Sequence, residues 1–224
     1  MEFDSLDKSK LTPAMQQYAT FRDKFPFPEF SILYQMGDFY ETFFDDAERI
    51  SKDLNMLLTK RGKVNGENVP LAGFPLRQLN TYVKKLLEIG RKVVIVEQVQ
   101  DSSEAKGVVD RDITRVITPG TIFDESLLIS DQDNFILSIN TLGLRKDYSI
   151  DTNKKLGISW ADLSSGAFYL SEMTPQEFLK EIVRITPAEI LLSDNFRYDE
   201  TSITKSAEAI NNIMEQRMRR YSSA

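Results

Sequence analysis

Apolar residues along the start of the chain follow helical spacing and then the continuous pattern of a buried strand. Thr12 and Pro13 suit the N-terminal cap and the first turn of a helix. Apolar side chains recur along this helix until Pro26 and Pro28, which cannot continue it. The apolar run 31–36 that follows predicts a strand. The chain therefore begins with a helix that leads directly into a strand.

The next apolar patterns alternate in the same way. Helices are predicted over 43–54 and 79–87, and Gly90 suits the residue just past the end of the second one. Residues 92–99 form a near-continuous β-branched run, which is typical of a central strand covered on both faces. A further strand is predicted over 113–118. Polar loops are predicted at 61–68 and 100–112.

The pattern changes beyond residues 124–133, a polar stretch that we interpret as a linker. Three strands with turn residues between them are predicted at 135–140, 156–162 and 167–173. Thr174 and Glu177 form a capping box that opens a helix, and a strand follows at 189–192. The apolar spacing of the last segment predicts a helix from about residue 205 to 220.

These elements define an α/β protein with two domains. The first, over residues 11–123, is a mixed α/β domain with helices packed on a sheet, and the second spans 134–224. A length of 224 residues fits two ordinary domains. Residues 1–10 are polar and mixed in charge, so we expect them to be a flexible N-terminus.

The composition excludes several classes of function. The chain contains no cysteine and no histidine, which removes disulfides, cysteine-ligated metals and the usual acid–base catalyst. No apolar run approaches the length of a membrane span, and the N-terminus does not have the pattern of a signal peptide. We therefore expect a soluble protein of the cytoplasm.

The charge of the chain is unevenly distributed. Its net charge is −6, which is the wrong sign for a generic nucleic-acid binder. Between Lys60 and Lys92, however, eight basic residues are opposed by only two acidic ones. Such a stretch either follows the phosphates of a nucleic acid or consists of solvated helix and loop surfaces.

Candidate chemistry concentrates in the segment Gly37-Asp38-Phe39-Tyr40-Glu41. An exposed Phe39 at the end of a strand is suited to act as a wedge between stacked bases. Phosphates would repel Glu41, so its charge makes sense only beside a base edge that carries or acquires a proton. The alternative is that Phe39 and Tyr40 are ordinary core aromatics.

The segment from Leu33 to Glu41 closely resembles the mismatch-binding motif of the MutS family of DNA mismatch repair proteins. Further motifs that are similar to those of the family follow in the same order: Leu58-Thr59-Lys60-Arg61-Gly62, Pro70-Leu71-Ala72-Gly73, Glu97-Gln98, Arg115-Val116-Ile117-Thr118-Pro119-Gly120-Thr121 and Asp162-Leu163-Ser164-Ser165-Gly166. The resemblance covers roughly residues 11 to 194. The ordered set is specific, although each single motif is weak.

The resemblance implies that residues 11–123 are the mismatch-recognition domain. It implies that 134–224 belong to a ribonuclease-H-like connector domain, whether or not the chain ends inside it. By the same resemblance, Phe39 stacks on a mispaired base and Glu41 hydrogen-bonds to that base. Candidate contacts to the DNA backbone are Lys60, Arg61, Lys63 and Arg77.

Other family properties depend on segments that this sequence does not contain. Family members carry ATPase, lever and clamp domains, whereas this sequence has no phosphate-binding P-loop motif. We therefore expect an N-terminal fragment that is not an enzyme and holds no cofactor, although full-length members bind ATP and Mg²⁺. The resemblance further implies mismatched duplex DNA as the ligand, a MutL-type partner for the connector and a homodimeric parent protein.

One position departs from the family pattern. Where the family commonly shows Tyr-His, this chain has Leu76-Arg77, so the role of that histidine is not carried over. Arg77 is either a phosphate contact in its place or an exposed helix residue.

Two other classes of function stay open at this point. Asp162 on a ribonuclease-H-like strand resembles a metal-binding catalytic aspartate, which would make the protein a metal-dependent nuclease. The candidate partners of Asp162 are Glu172, Glu181 and Asp194, and no motif links them. The other class is a protein-interaction module that binds the MutL-type partner, a role that is compatible with mismatch recognition.

Overall fold

One sheet forms the centre of each of the two units into which the chain divides, Met1–Thr118 and Pro119–Ala224. The computed structural model describes residues 2–25, 28–100, 107–124, 126–128, 133–140, 155–193 and 218–221. The two-domain α/β architecture expected from the sequence is confirmed. The finer domain limits of 11–123 and 134–224 stay predictions.

The described part of the first unit combines α-helices with a six-stranded sheet. Its helices are α1 (Pro13–Lys24), α2 (Phe44–Asp53) and α3 (Leu79–Glu88). Its strands are β1 (Phe30–Met36), β2 (Phe39–Phe43), β3 (Thr59–Val64), β4 (Glu67–Pro75), β5 (Lys92–Gln98) and β6 (Arg111–Ile117). The strand order is β3-β4-β2-β1-β5-β6, with β1 and β5 parallel and the other neighbours antiparallel.

The helices and the strongest strands of this unit confirm the sequence prediction. Gly90 follows α3 with φ +76, and its N–H donates to the carbonyl of Leu87 at 2.9 Å, which ends the helix as expected. Strand β5 lies between β1 and β6 and is buried along most of its length, as its β-branched run predicted. These elements were predictable because their burial pattern is local and periodic.

An aromatic cluster under α1 holds β1 and β2 together. The ring of Tyr18 on α1 lies edge-on to Phe43 at 5.0 Å and to Tyr34 at 5.6 Å between centroids. All three side chains are buried. Because Tyr34 belongs to β1 and Phe43 to β2, this packing fixes the two strands on either side of the turn that connects them.

The prediction of a flexible N-terminus is wrong for Phe3. This side chain is fully buried, and its ring packs against Phe44 at 5.4 Å between centroids. The polar composition of residues 1–10 concealed the single aromatic anchor that attaches this segment to the core.

The predicted loop at 61–68 is also wrong, because these residues belong to a hairpin of β3 and β4. Asn65 and Gly66 form its tip with φ +52 and +86, the backbone that a two-residue type I′ turn requires.

Strand β2 is a second difference from the sequence prediction, which placed Phe39 and Glu41 beyond the end of a strand. The structure places both residues on β2, inside the sheet.

The described part of the second unit has the strand order β11-β10-β7-β8-β9. Its elements are β7 (Phe135–Asn140), β8 (Leu156–Asp162), β9 (Ala167–Met173), α4 (Pro175–Ile185), β10 (Glu189–Ser193) and β11 (Met218–Tyr221). The first three strands are antiparallel neighbours, whereas β10 is parallel to both β7 and β11. This arrangement is the ribonuclease-H-like connector fold that was predicted.

The termini of α4 follow the sequence closely. Thr174 and Glu177 exchange the two hydrogen bonds of a capping box, as predicted, and the apolar face of α4 packs Phe178 and Ile182 into the core of the second sheet.

The last predicted helix is wrong at residues 218–220, which lie in β11. The rest of that prediction, over 205–217, lies outside the described residues. No helix in the described part of the chain is both long and apolar enough to cross a membrane.

Candidate nucleic-acid interface

A two-residue turn between β1 and β2 projects Phe39 from the edge of the first unit's aromatic core. Met36 and Phe39 are paired across the two strands, so Gly37 and Asp38 alone form the turn. Gly37 takes φ +59, a conformation that glycine adopts at little cost. Phe39 is 45% exposed, which is unusual for an aromatic residue at the start of an internal strand.

The neighbouring tyrosines, Tyr34 and Tyr40, are part of the core. Tyr40 is buried, its ring lies 5.9 Å from Phe74, and its hydroxyl donates to a carboxylate oxygen of Glu97. Burial raises the pKa of Tyr40, and the contact with Glu97 adds to this effect. Tyr34 is buried as well and donates from its hydroxyl to Gln17 of α1. Both tyrosines are therefore core residues beside the exposed Phe39.

Glu41 follows Phe39 by two positions, so strand alternation places both side chains on the same face of the sheet. Its side chain is only 12% exposed. The Nη1 group of Arg61 donates to both carboxylate oxygens of Glu41, at 3.1 and 3.0 Å. Burial raises the pKa of Glu41, while the charge of Arg61 and its hydrogen bonds oppose that rise without cancelling it.

The backbone opposite Glu41 leaves little room. Gly73 on β4 is the cross-strand partner of Glu41. A Cβ atom at Gly73 would lie 2.7 Å from the carbonyl oxygen of Tyr40 and 3.2 Å from Cγ of Glu41. Glycine at this position therefore allows β2 and β4 to approach closely and gives the Glu41 side chain its place.

A bulge in β3 directs Arg61 towards Glu41. The pairing of β3 with β4 shifts register between Lys60 and Lys63, and Gly62 within this bulge takes φ +67. Bulges bend a strand and re-aim its side chains. Arg61 was expected as a DNA-backbone candidate, but the structure pairs it with the other candidate residue, Glu41, which is 20 positions away.

Arg111 is a residue of the site that sequence reasoning missed. Its Nε donates to the carbonyl of Gln35 at 2.7 Å, close to the turn that precedes Phe39. Its guanidinium carbon lies 4.8 Å from the centre of the Tyr34 ring, and its charge also acts on Glu41. These contacts of Arg111 stabilise the end of β1 just before the turn. No signal in the sequence could have identified it, because its partner Gln35 is 76 positions away.

The remaining basic candidates lie on exposed surface. Lys60 and Lys63 are exposed on β3, and Arg77 is exposed just before α3. Two other members of the basic stretch are mostly buried and paired instead. Arg91 binds Asp53 at 2.8 Å and Lys92 binds Glu29, so neither side chain is an open phosphate contact.

Asp162 at the end of β8 holds a turn together. One carboxylate oxygen accepts hydrogen bonds from the backbone N–H and the hydroxyl of Ser164, and the other accepts from the N–H of Asn134. Burial acts to raise the pKa of Asp162, but these hydrogen bonds outweigh burial and lower it. Among the described residues, no group of three or more acidic side chains is placed to hold a metal ion. The geometry of Asp162 is that of a structural turn residue.

Comparison with protein families agrees with the two units. A family model of MutS domain I matches residues 12–126, and a model of MutS domain II matches residues 134–222. The matches define a two-domain protein of DNA mismatch repair whose general role is the recognition of mismatched DNA. The chain belongs to the MutS family.

Proposed function

We propose that the first unit recognises mispaired or unpaired bases by inserting Phe39 into a kinked step of duplex DNA, while Glu41 hydrogen-bonds to the displaced base. The observation that supports this most directly is the contrast between Phe39, which is 45% exposed, and its buried neighbour Tyr40. The turn at Gly37 presents the Phe39 ring on a strand that the aromatic core holds in place.

The energetics favour a mismatch over an ordinary step. A mispaired base is poorly stacked and poorly paired, so separating it from its neighbour costs less than in regular duplex. Stacking of a base on an aromatic side chain contributes about 1–3 kcal/mol. The stacking gain is similar at any step, but the cost of opening the step is lower at a mismatch than in regular duplex. The difference between these two costs is the source of discrimination.

A binding titration tests the function. The 224-residue chain is titrated at low salt against a duplex with one G·T mismatch and against its fully paired counterpart. The proposal expects tighter binding to the mismatched duplex. Equal affinity for the two duplexes would contradict it.

Glu41 adds selectivity because a carboxylate can only accept hydrogen bonds unless it is protonated. In paired DNA the N–H donors of the Watson–Crick edges are already used, so a charged Glu41 at a paired step mainly faces the repulsion of the phosphates. At an unpaired base it can accept from a free N–H, or it can donate to a base acceptor after taking up a proton. The raised pKa of Glu41 favours the second possibility.

Glu41→Gln is expected to increase affinity for ordinary duplex and to reduce the preference for the mismatch. The reason is that one negative charge leaves the surface that faces the phosphates, and this advantage shrinks as salt screens it. Fluorescence anisotropy with both duplexes at several salt concentrations measures the effect. Weakening of equal size on both duplexes would argue against a selective role of Glu41.

Replacing both Lys60 and Lys63 with Gln is expected to weaken binding to mismatched and matched duplex alike. Each lost phosphate contact lowers the dependence of log affinity on log salt by about 0.9 at most. Lys52→Gln, which removes an exposed charge from the end of α2, is the control and should leave the salt dependence unchanged. A salt dependence that is identical in the double variant would mean that β3 faces solvent in the complex.

The resemblance also implies a MutL-type partner for the second unit, and we extend the proposal to this interaction. In the described residues β9 is the outermost strand of its sheet and exposes Phe168 and Leu170. Binding of a purified MutL-type protein in the absence of DNA would support the interaction, and no binding at high micromolar concentration would contradict it.

A further inference from the structure

The ion pair between Arg61 and Glu41 is asymmetric in its surroundings. The side chain of Arg61 is 48% exposed, whereas that of Glu41 is 12% exposed. Arg61 lies on β3, the outermost strand of the described sheet, at a bulge that contains Gly62. Glu41 lies on the internal strand β2 against Gly73. Arg61 can therefore rotate away into solvent, while Glu41 is held in place.

Few charged or titratable groups of the described residues face Glu41. Arg61 from β3 is in direct contact, and Arg111 from β6 acts at longer range. Tyr34 from β1 is the cross-strand partner, and β4 contributes only Gly73 at this position. The guanidinium of Arg111 is held by its hydrogen bond to Gln35 and by its contact with the Tyr34 ring. Of these two cations, Arg61 is therefore the one that can move away from Glu41.

The geometry points to Arg61 as a positioning residue that keeps Glu41 ionised in the free protein and exchanges Glu41 for a DNA phosphate when duplex binds. This inference rests on the proposed function and deepens it. Contact of Arg61 with the DNA backbone would then decide whether Glu41 accepts a hydrogen bond from the base or, once protonated, donates one to it.

The exchange follows from the relative strengths of the two contacts. An ion pair with one exposed partner is weak, because water screens it and the long side chain loses freedom. A phosphate accepts charge-assisted hydrogen bonds from the same guanidinium, and its binding releases counterions from the DNA. Once Arg61 leaves, Glu41 remains in a poorly hydrated position close to a polyanion. Both conditions favour its protonated form, with the proton taken from solvent.

The first arm of the test uses the DNA-free protein. The side-chain carboxyl carbon of Glu41 is followed by NMR as pH is varied in the wild type, Arg61→Gln and Arg61→Lys. Arg61→Gln is expected to raise the pKa of Glu41, because the nearest favourable charge is lost, and Arg61→Lys is expected to restore most of the wild-type value. An unchanged titration in Arg61→Gln would overturn the inference.

The second arm measures affinity for the G·T duplex as a function of pH at constant ionic strength. If Glu41 takes up a proton on binding, affinity rises as pH falls from its pKa in the complex to its pKa in the free protein, and it is level outside this window. Within the window, uptake approaches about one proton per chain bound. Glu41→Gln should abolish the window.

The two limits of the window separate exchange from a permanent ion pair. If Arg61 leaves Glu41 in the complex, Arg61→Gln shifts only the lower limit upward, and Arg61→Lys returns it. If both limits shift, Arg61 stays on Glu41 in the complex and the exchange is overturned. Lys52→Gln removes an equal charge from exposed surface at the end of α2 and should shift neither limit. Equal affinity for both duplexes at every pH would instead contradict the proposed function. The titration of the DNA-free protein would still measure the effect of Arg61 on the pKa of Glu41.

Discussion

Phe39→Ala should remove the preference for mismatched over matched duplex while the first unit keeps its fold. The loss of one base–aromatic stacking contact, about 1–3 kcal/mol, should weaken binding to the G·T duplex roughly five- to 150-fold. Binding to matched duplex should change little, because the phosphate contacts do not involve this ring. Titration of both duplexes together with thermal unfolding of the free protein measures the two parts of this expectation.

A matched control separates the role of the ring from general loss of apolar surface. Ile89 is 48% exposed and lies just past the end of α3, and Ile89→Ala should leave mismatch preference intact. Because Phe39 is 45% exposed, its truncation should lower stability by no more than about 1 kcal/mol. A loss of about 3 kcal/mol or more for Phe39→Ala, which is typical of a buried phenylalanine, would show that the ring belongs to the core, and the wedge proposal would fail.

Gly73→Ala is expected to destabilise the first unit and to weaken mismatch discrimination together. The added Cβ would lie 2.7 Å from the carbonyl oxygen of Tyr40, which is backbone and cannot rotate away. Strand β2 or β4 would have to move, at a cost of about 1–3 kcal/mol, which is typical of added atoms in a tightly packed site. Since β2 carries both Phe39 and Glu41, the movement would displace the two proposed base contacts.

The comparison for this variant is Gly157→Ala in the second unit. Gly157 also lies in an antiparallel strand, but its added Cβ would make only an ordinary contact, 3.4 Å from Cβ of Asn140. Gly157→Ala should therefore leave both thermal stability and mismatch binding close to wild type. A Gly73→Ala protein with the same melting temperature and the same discrimination as Gly157→Ala would mean that β2 and β4 are less closely constrained than the contact distances indicate.

The order of motifs along the chain was sufficient to identify the family and the two-domain α/β architecture. Local patterns were also sufficient for α1 to α4 and for the long apolar strands, including β5, because burial of one element repeats at short intervals along the chain. The capping box at Thr174 and Glu177 was readable for the same reason, since all of its partners lie within four residues.

The elements that the sequence did not reveal share a different physical origin. The β3–β4 hairpin is polar and exposed along most of β3, so it lacks the apolar alternation that identifies a strand. Strand β2 follows β1 after only two residues and was hidden in one continuous motif. Phe3 is the one aromatic residue in a polar segment, and its contact with Phe44, which is distant along the chain, shows that the segment is attached to the core.

The chemistry of the candidate site depended most on tertiary structure. The sequence by itself named Phe39 and Glu41, because the motif around them is contiguous. It could not show that Phe39 is exposed while Tyr40 and Phe43 on the two faces of β2 are buried, since that depends on how far the core extends towards the first residue of the strand. It could not pair Arg61 with Glu41 or place Arg111 beside the turn, because a bulge in β3 and the folding of β6 onto β5 bring these charges together. Which charged side chains pair depends on the distances between them in the folded protein. The order of the residues along the chain does not give those distances.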